Sequence, residues 1–211
     1  PKLVGNQRNI VVSDQSGKSN IISRLKMIGI EVNNEDLKIK KILNEVKDRE
    51  FIGYSYDGAD ASFELLARRI IGEIPTYLTI SEYDVSVKKN KKGKIISIAK
   101  AHILVDGNEV VCEGEGNGPV NALDNAIRNN VDKVVKYSKY LKDLKLVDYK
   151  VRILNTGTGA ITRVSIESTD SKGKNWFTIG VSTNIIEASF KALIDSLDYK
   201  LFKEQAPASK L

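Results

Sequence analysis

A chain of 211 residues with 41% hydrophobic, 7% aromatic and 28% charged side chains has a globular composition, and its interspersed charges exclude a disordered or single-sign tail. Its 33 Lys and Arg against 27 Asp and Glu leave a net charge of +6, and the length suits one large domain or two small ones. One cysteine, Cys112, and one histidine, His102, exclude an internal disulfide and a His/Cys metal cluster. No apolar run approaches the ~20 residues of a membrane helix, and Pro1-Lys2-Leu3-Val4-Gly5 carries no signal pattern, so a cytoplasmic location is expected. The opening also lacks an initiator Met, which reads as a piece of a longer chain.

Residues 1–75 read as helical after a short extended entry, Asn9-Ile10-Val11-Val12. Ser16 or Ser19 can cap a first helix with Ile21, Ile22, Leu25 and Ile28 on one face, ended by a left-handed Gly29. Asn33 or Asn34, with Glu35 and Asp36 in the first turn, opens a second, in which Ile39, Ile42, Leu43 and Val46 keep helical spacing. Gly53 can end it. Asp57 is expected to cap a third helix, whose stripe of Ala59, Phe63, Leu66 and Ile70 lies opposite Glu64, Arg68 and Arg69, with Gly72 as terminator before Pro75.

After Pro75 the period changes to two, which places a domain boundary there. Tyr77-Leu78-Thr79-Ile80 continues through Tyr83, Val85 and Val87 as one strand, and Lys94 to Asp106 makes a second. Asp106-Gly107-Asn108 is hairpin chemistry, leading into a third strand, Glu109 to Glu113. The glycine-rich stretch Gly114 to Pro119 then opens one helix with Val120, Leu123, Ile127, Val131 and Val134 on its face, Pro119 sitting at the first helical position. The order recurs. Val147, Tyr149, Val151 and Ile153 alternate with polar residues as a half-buried strand, Ala160 to Glu167 forms the next, and Asn175 to Val181 the third. Asn184 and Glu187 can form a variant capping box for a helix burying Ile186, Phe190, Leu193, Leu197 and Leu201.

A constant offset of 66 matches Tyr83, Val85 and Val87 to Tyr149, Val151 and Ile153, and Gly114, Ala122, Ala126 and Ile127 to Gly180, Ala188, Ala192 and Leu193. We read an internal duplication. The expected fold class is α+β: short helical subdomains over 1–75, then a duplicated βββα domain over 76–211 with units at about 77–140 and 146–203. Each unit leaves sheet surface to cover, so the two are expected to pack about a pseudo-twofold.

Ser16-Gly17-Lys18-Ser19 resembles the end of a phosphate-binding loop, but Val12 stands where that signature needs Gly. Lys88, Lys89, Lys91, Lys92 and Lys94 crowd one turn without interleaved aromatics, which reads as a solvated hairpin rather than a nucleic-acid surface. His102 and Cys112 have no second His or Cys and read as sheet residues. Gly116-Asn117-Gly118-Pro119 is more informative. Small residues admit a ligand to the backbone, and the first-turn amides of the following helix favour a carboxylate or phosphate. Val181-Ser182-Thr183-Asn184 supplies a second helix start at the equivalent place. Gly-rich turns also occur without ligands, and on these residues alone both readings stand.

Three segments carry a resemblance: Glu115-Gly116-Asn117-Gly118-Pro119-Val120-Asn121-Ala122-Leu123, Ala61-Ser62-Phe63-Glu64-Leu65-Leu66, and Ser182-Thr183-Asn184-Ile185-Ile186-Glu187-Ala188-Ser189. They resemble the C-terminal half of the 2-isopropylmalate and homocitrate synthase family, on its citramalate synthase branch, and the likeness runs from Leu3 to Leu201. The resemblance implies a parent enzyme that condenses pyruvate with acetyl-CoA in an N-terminal TIM barrel holding a divalent metal. Those barrel motifs are absent here, so no catalytic residue, metal ligand or cofactor is assigned to this chain. It further implies that 1–75 are linker subdomains and that 76–211 form an allosteric domain that makes a homodimer and binds the end product, isoleucine, without nucleic acid or membrane partners. The implied effector residues are Gly116, Asn117, Gly118, Pro119, Val120, Asn121, Ala122, Ser182, Thr183, Asn184 and Ile185. Family linkers approach the neighbouring subunit's active site. Relatives of the 2-isopropylmalate type often show His after Ser-Gly-Arg, where this chain has Ser19 and Asn20 after Lys18, so no catalytic assistance is assigned. A 2-isopropylmalate synthase with leucine as effector, and a stand-alone ligand-binding regulator, are the competing readings.

Overall fold

The computed structural model describes residues 18–30, 37–130, 133–154, 157 and 160–210. The extended entry at 9–12, the caps at Ser16, Asn33 and Asn34, and Val131 lie outside them. Three helices come first: α1 (Lys18–Met27), α2 (Leu37–Phe51) and α3 (Asp60–Ile71). Their stripes meet as expected, with Ile21, Leu25, Ile42, Val46, Phe63 and Leu66 in one core. Gly29 adopts φ 76°, and Ile30 N–H closes on Leu25 O at 2.9 Å, so the chain stops α1 with a left-handed residue. Gly72 does the same for α3 at φ 79°.

One expectation for α3 fails. Asp57 does not cap it: Ala59 takes the cap position with no side-chain hydrogen bond, because Asp57 sits two residues too early, before a left-handed Gly58. The face that carries Glu64, Arg68 and Arg69 is itself partly covered. Glu64 is buried, accepting from Arg68 Nε at 2.8 Å and Lys203 Nζ at 2.7 Å, because α3 is covered on a second side by the last helix of the chain.

The rest of the chain forms two three-stranded antiparallel sheets, each with a helix. The first unit is β1 (Thr79–Lys89), β2 (Ile95–Val105), β3 (Asn108–Gly116), α4 (Pro119–Arg128) and α5 (Val135–Leu141). The second is β4 (Lys145–Ile153), β5 (Thr162–Thr169), β6 (Asn175–Ser182) and α6 (Ile185–Lys203). The duplication survives in detail. The register skips Ser81 in β1 and Val147 in β4, 66 residues apart, and Gly114 and Gly180 both lie under their unit's helix. The offset is not constant, however. Tyr83 pairs with Ala101 and Tyr149 with Ile166, so the middle strands match at 65, and the hairpins absorb the difference. The β2–β3 turn is the two-residue hairpin expected, with Asp106 at φ 51° and Gly107 at φ 73° between the paired Val105 and Asn108.

Three further expectations are corrected. The helix from Pro119 does not reach Val134: it ends at Arg128, and α5 follows as a separate element. Asn130 explains the break, since its Nδ2 donates to Ala126 O at 2.9 Å and Glu113 O at 2.8 Å, competing with the backbone for the helix carbonyl. The third strand does not stop at Glu113. It runs to Gly116, because Gly114 and Gly116 pair with Ala99 and Ser97 of β2. Finally, β4 is only partly half-buried. Val147 is 54% exposed at the bulge, and Val151 and Ile153 are 41% and 68% exposed although they share the helix-facing side with buried Val164. This edge strand runs beyond the cover of α6, as β1 does at Val87, which is 55% exposed.

The units join to each other and to α3 through α6. Tyr83 of β1 stacks on Phe190 at 4.5 Å and donates its hydroxyl to Glu187 at 2.7 Å. From α3, Ser62 Oγ accepts from Ile179 N–H and donates to Asp195, both at 3.0 Å, while Arg69 reaches Asp195 and Asp198 at 2.7 Å each. Residues 206–210 strap the opposite side: Ser209 N–H donates to Thr76 O at 2.8 Å, and its Oγ accepts from Asp106 N–H at 2.7 Å.

Burial pushes the Asp198 carboxyl up to about 6 against the pull of Arg69. Because this lies above the ~3.9 of a free carboxyl, the proton favours the fold, and the stabilisation is complete below about pH 4 and lost as pH rises through about 6. Asp198→Asn is therefore expected to flatten the pH dependence of the melting temperature over that window. An unchanged profile would mean that Asp198 ionises as it does in water.

Candidate functional site

The structure separates what the sequence placed together in the two glycine- and asparagine-rich helix starts. Gly116 is a strand residue, and a Cβ there would lie 2.4 Å from Ala122 N, so its glycine serves the close approach of α4 to the sheet rather than a ligand. Ala122 is buried in the same contact. Gly118 differs. It is the cap residue of α4, with φ −157° and ψ 168°, an extended conformation open to any residue, and a Cβ there would meet nothing within 4 Å. Pro119 stands at the first helical position, Val120 is half-buried and Asn121 exposed. Asn121 Oδ1 accepts from Asn117 N–H at 3.2 Å, which fixes the turn ahead of the helix. No side chain caps α4, so its positive end is open to an acceptor.

The second start is already satisfied. Asn184 Oδ1 accepts from Ile186 N–H at 2.8 Å and Glu187 N–H at 3.4 Å, and Ser182 Oγ accepts from Asn184 N–H at 3.1 Å. Glu187 turns to Tyr83 instead of closing the capping box. Thr183 is exposed, and Ile185 is 42% exposed. The two starts are thus pseudo-equivalent in position but not in hydrogen-bonding capacity, and among the described residues no hydrogen bond joins them.

Sequence reasoning missed Ser97. It is fully buried on β2, between Val87 of β1 and Gly116 of β3, and its Oγ has no hydrogen-bond partner. An unsatisfied buried hydroxyl costs about 1–3 kcal/mol, so its presence at the open end of α4 points to a polar guest. Ile95, 54% exposed, and Val87 stand on the same side of the sheet and offer apolar surface beside it. The signal was a small polar residue inside the alternation Ile95, Ser97, Ala99, Ala101.

Elsewhere the chemistry is sparse. Among the described residues, no group of three or more His, Cys, Asp or Glu side chains is placed to hold a metal. His102 Nδ1 lies 3.3 Å from Glu109, and Cys112 is buried, its thiol pKa raised by that burial. The lysine turn is an exposed hairpin ordered by Asn90, whose Oδ1 accepts from Lys92 and Lys94 N–H at 2.9 Å. None of its five lysines makes a hydrogen bond through Nζ among the described residues. No described helix is long and apolar enough to cross a membrane.

Comparison with known proteins gives this arrangement a family. Residues 57–201, which run from the approach to α3 through both βββα units, match the LeuA allosteric (dimerisation) domain. The chain is 44% identical over 208 residues to an (R)-citramalate synthase of Aquifex aeolicus and 42% identical over 208 residues to one of Geobacter sulfurreducens, covering 97% of this chain and 39% of each relative. It is 39% identical to an (R)-citramalate synthase of Sulfolobus acidocaldarius over 100% of this chain and 38% of that relative. The chain therefore spans about two fifths of the length of these relatives. With a duplicated βββα fold, two helix starts of which one is open, and a match across most of its length, the chain belongs to the LeuA allosteric (dimerisation) domain family.

Proposed function

We propose that this chain is the linker and regulatory region of an (R)-citramalate synthase, which makes citramalate from pyruvate and acetyl-CoA in the cytoplasm. Residues 1–75 act as linker subdomains, and 76–211 bind isoleucine for feedback inhibition and pair as a homodimer. The divalent metal and the condensation belong to the part of the relatives that this chain does not span, and no step of that reaction is assigned to its residues. The names of the relatives support the parent activity. Exposed Val87, Val151 and Ile153 support dimerisation, since edge-strand apolar surface of this kind is normally covered by a partner.

The observation that carries the effector reading is the uncapped start of α4 beside buried, unpartnered Ser97. The isoleucine carboxylate accepts from the first-turn amides of α4, and its side chain lies on Val87, Ile95 and Val120. Leucine differs only in the place of one methyl group, which is typically worth about 1–3 kcal/mol in an apolar pocket. Gly118→Val is the test, because the extended backbone and open surroundings at Gly118 let the variant fold. Calorimetric titration should show at least about tenfold weaker isoleucine binding, equivalent to 1.4 kcal/mol. Unchanged affinity would place the site elsewhere, and preferential binding of leucine would favour a 2-isopropylmalate-type parent.

A further inference from the structure

A cleft of about 380 Å³, within the ordinary size of small-molecule sites, opens between the β5–β6 turn and the last turns of α6. Its walls are aromatic. Trp176 of β6 and Tyr199 of α6 stand with ring centroids 6.0 Å apart and planes 39° from parallel. The Trp176 indole N–H is spent on Ser196 Oγ at 3.0 Å and the Tyr199 hydroxyl on Glu64 at 3.3 Å, so both rings offer the cleft only their π surface. The acids of the cleft are spent as well. Asp170 holds Lys200 at 2.8 Å and two turn amides, and Glu204 holds Lys172 at 2.7 Å and Lys200 at 3.2 Å. Lys203 donates to Glu64 at 2.7 Å. Lys174 differs: it lines the cleft, is exposed, and its Nζ makes no hydrogen bond or ion pair among the described residues. The uncommitted charge of the cleft is therefore positive, and it stands beside two rings.

We propose that this cleft binds a small aromatic carboxylate, its ring against Trp176 and Tyr199 and its carboxylate on the Lys174 ammonium. A planar ring laid on one wall meets the tilted second wall toward its edge, an arrangement that aromatic groups favour. Charge selects the anion, because Asp170 and Glu204 already carry cations of their own and a cationic guest would find no free partner. The site shares no residue with the α4 start. Bound there, the ligand bridges the β5–β6 turn to the end of α6, next to the link from Lys203 to Glu64 of α3.

Trp176 is the only tryptophan of the chain, so its fluorescence and its single indole N–H resonance report this cleft. The experiment titrates this chain with benzoate, with benzyl alcohol as the arm lacking the charge and cyclohexanecarboxylate as the arm lacking the ring. Benzoate should change both Trp176 signals saturably with a roughly millimolar midpoint, and the two other probes should bind at least about fivefold more weakly. Lys174→Gln should weaken benzoate about fivefold without disturbing the fold, since the turn uses the Lys174 amide and carbonyl and not its Nζ. Tyr199→Leu, which removes one wall, should weaken it similarly, whereas Tyr199→Phe, which keeps the ring, should bind like the parent. Gly118→Val should also bind benzoate like the parent, which keeps this test separate from the effector reading. The proposal fails if Trp176 shows no saturable change up to roughly 50 mM benzoate, if Lys174→Gln titrates like the parent, or if cyclohexanecarboxylate binds as tightly as benzoate.

Discussion

Gly180→Ala is expected to destabilise the chain by about 3 kcal/mol or more, near the top of the range for overpacking. The added methyl would sit 2.0 Å from Ala188 O and 2.9 Å from Ala192 N, both backbone atoms of α6, so no flexible side chain can yield. The helix must move off its sheet instead, opening the contact of Val164 and Ile166 with Ala188, Ala192 and Leu193. Gly114→Ala should behave alike, since its Cβ would lie 2.2 Å from Ala126 N. Neither glycine has a positive φ, so the whole loss is steric. Urea unfolding, compared with Gly118→Val as a glycine change into open space, reads the difference. A loss below about 0.5 kcal/mol for Gly180→Ala would mean that α6 rests loosely on its sheet.

These glycines also show why the sequence was legible to different depths at different places. The periods of β5 and α6 mark the right faces because each buries one side, and the Asp106-Gly107 turn is legible because it needs two positive φ angles. The matched Gly114 and Gly180 signalled duplication correctly, but their reason, strand backbone pressed against helix backbone, belongs to tertiary packing that no local pattern records. Asn130 escaped notice because a side chain that steals a helix carbonyl looks like any other polar residue in a helical pattern. The burial of Glu64 was hidden for the related reason that α3 is amphipathic by sequence yet covered on two sides by residues far along the chain. At the candidate site, Gly118 and the capping role of Asn184 were readable from local chemistry. What was not readable is the tertiary part: Glu187 is claimed by Tyr83, 104 residues earlier, and Ser97 is buried without a partner.

Asp170→Ala is the second large effect expected, a loss of about 3–5 kcal/mol. Lys200 is buried near the end of α6, with Asp170 Oδ2 at 2.8 Å, Glu204 at 3.2 Å and Asp143 at 3.5 Å. Asp170 is equally buried, and its Oδ1 also accepts from Lys172 N–H at 2.9 Å and Lys174 N–H at 3.2 Å, which shapes the β5–β6 turn. Removing it strands a buried ammonium and unties the turn together. Lys200→Met should cost less, because the Asp170 carboxylate keeps its two amides and methionine keeps most of the length of the lysine stem. Burial opposes ionisation of Asp170, but Lys200 and the turn amides outweigh it and hold the carboxyl below its usual range. A carboxyl depressed in this way contributes stability that is present above its unfolded pKa of ~3.9 and lost as pH falls through the lower folded value. Asp170→Asn, which keeps one acceptor for the turn but cannot ionise, should therefore remove part of the acid-induced loss seen below about pH 4, whereas Lys200→Met should shift that loss to higher pH. Thermal unfolding of the three variants between about pH 3 and about pH 7 separates these outcomes. Asp170→Ala costing under about 1 kcal/mol at neutral pH would show that Glu204 and Asp143 hold Lys200 without it, and that the end of α6 is fixed by packing rather than by charge.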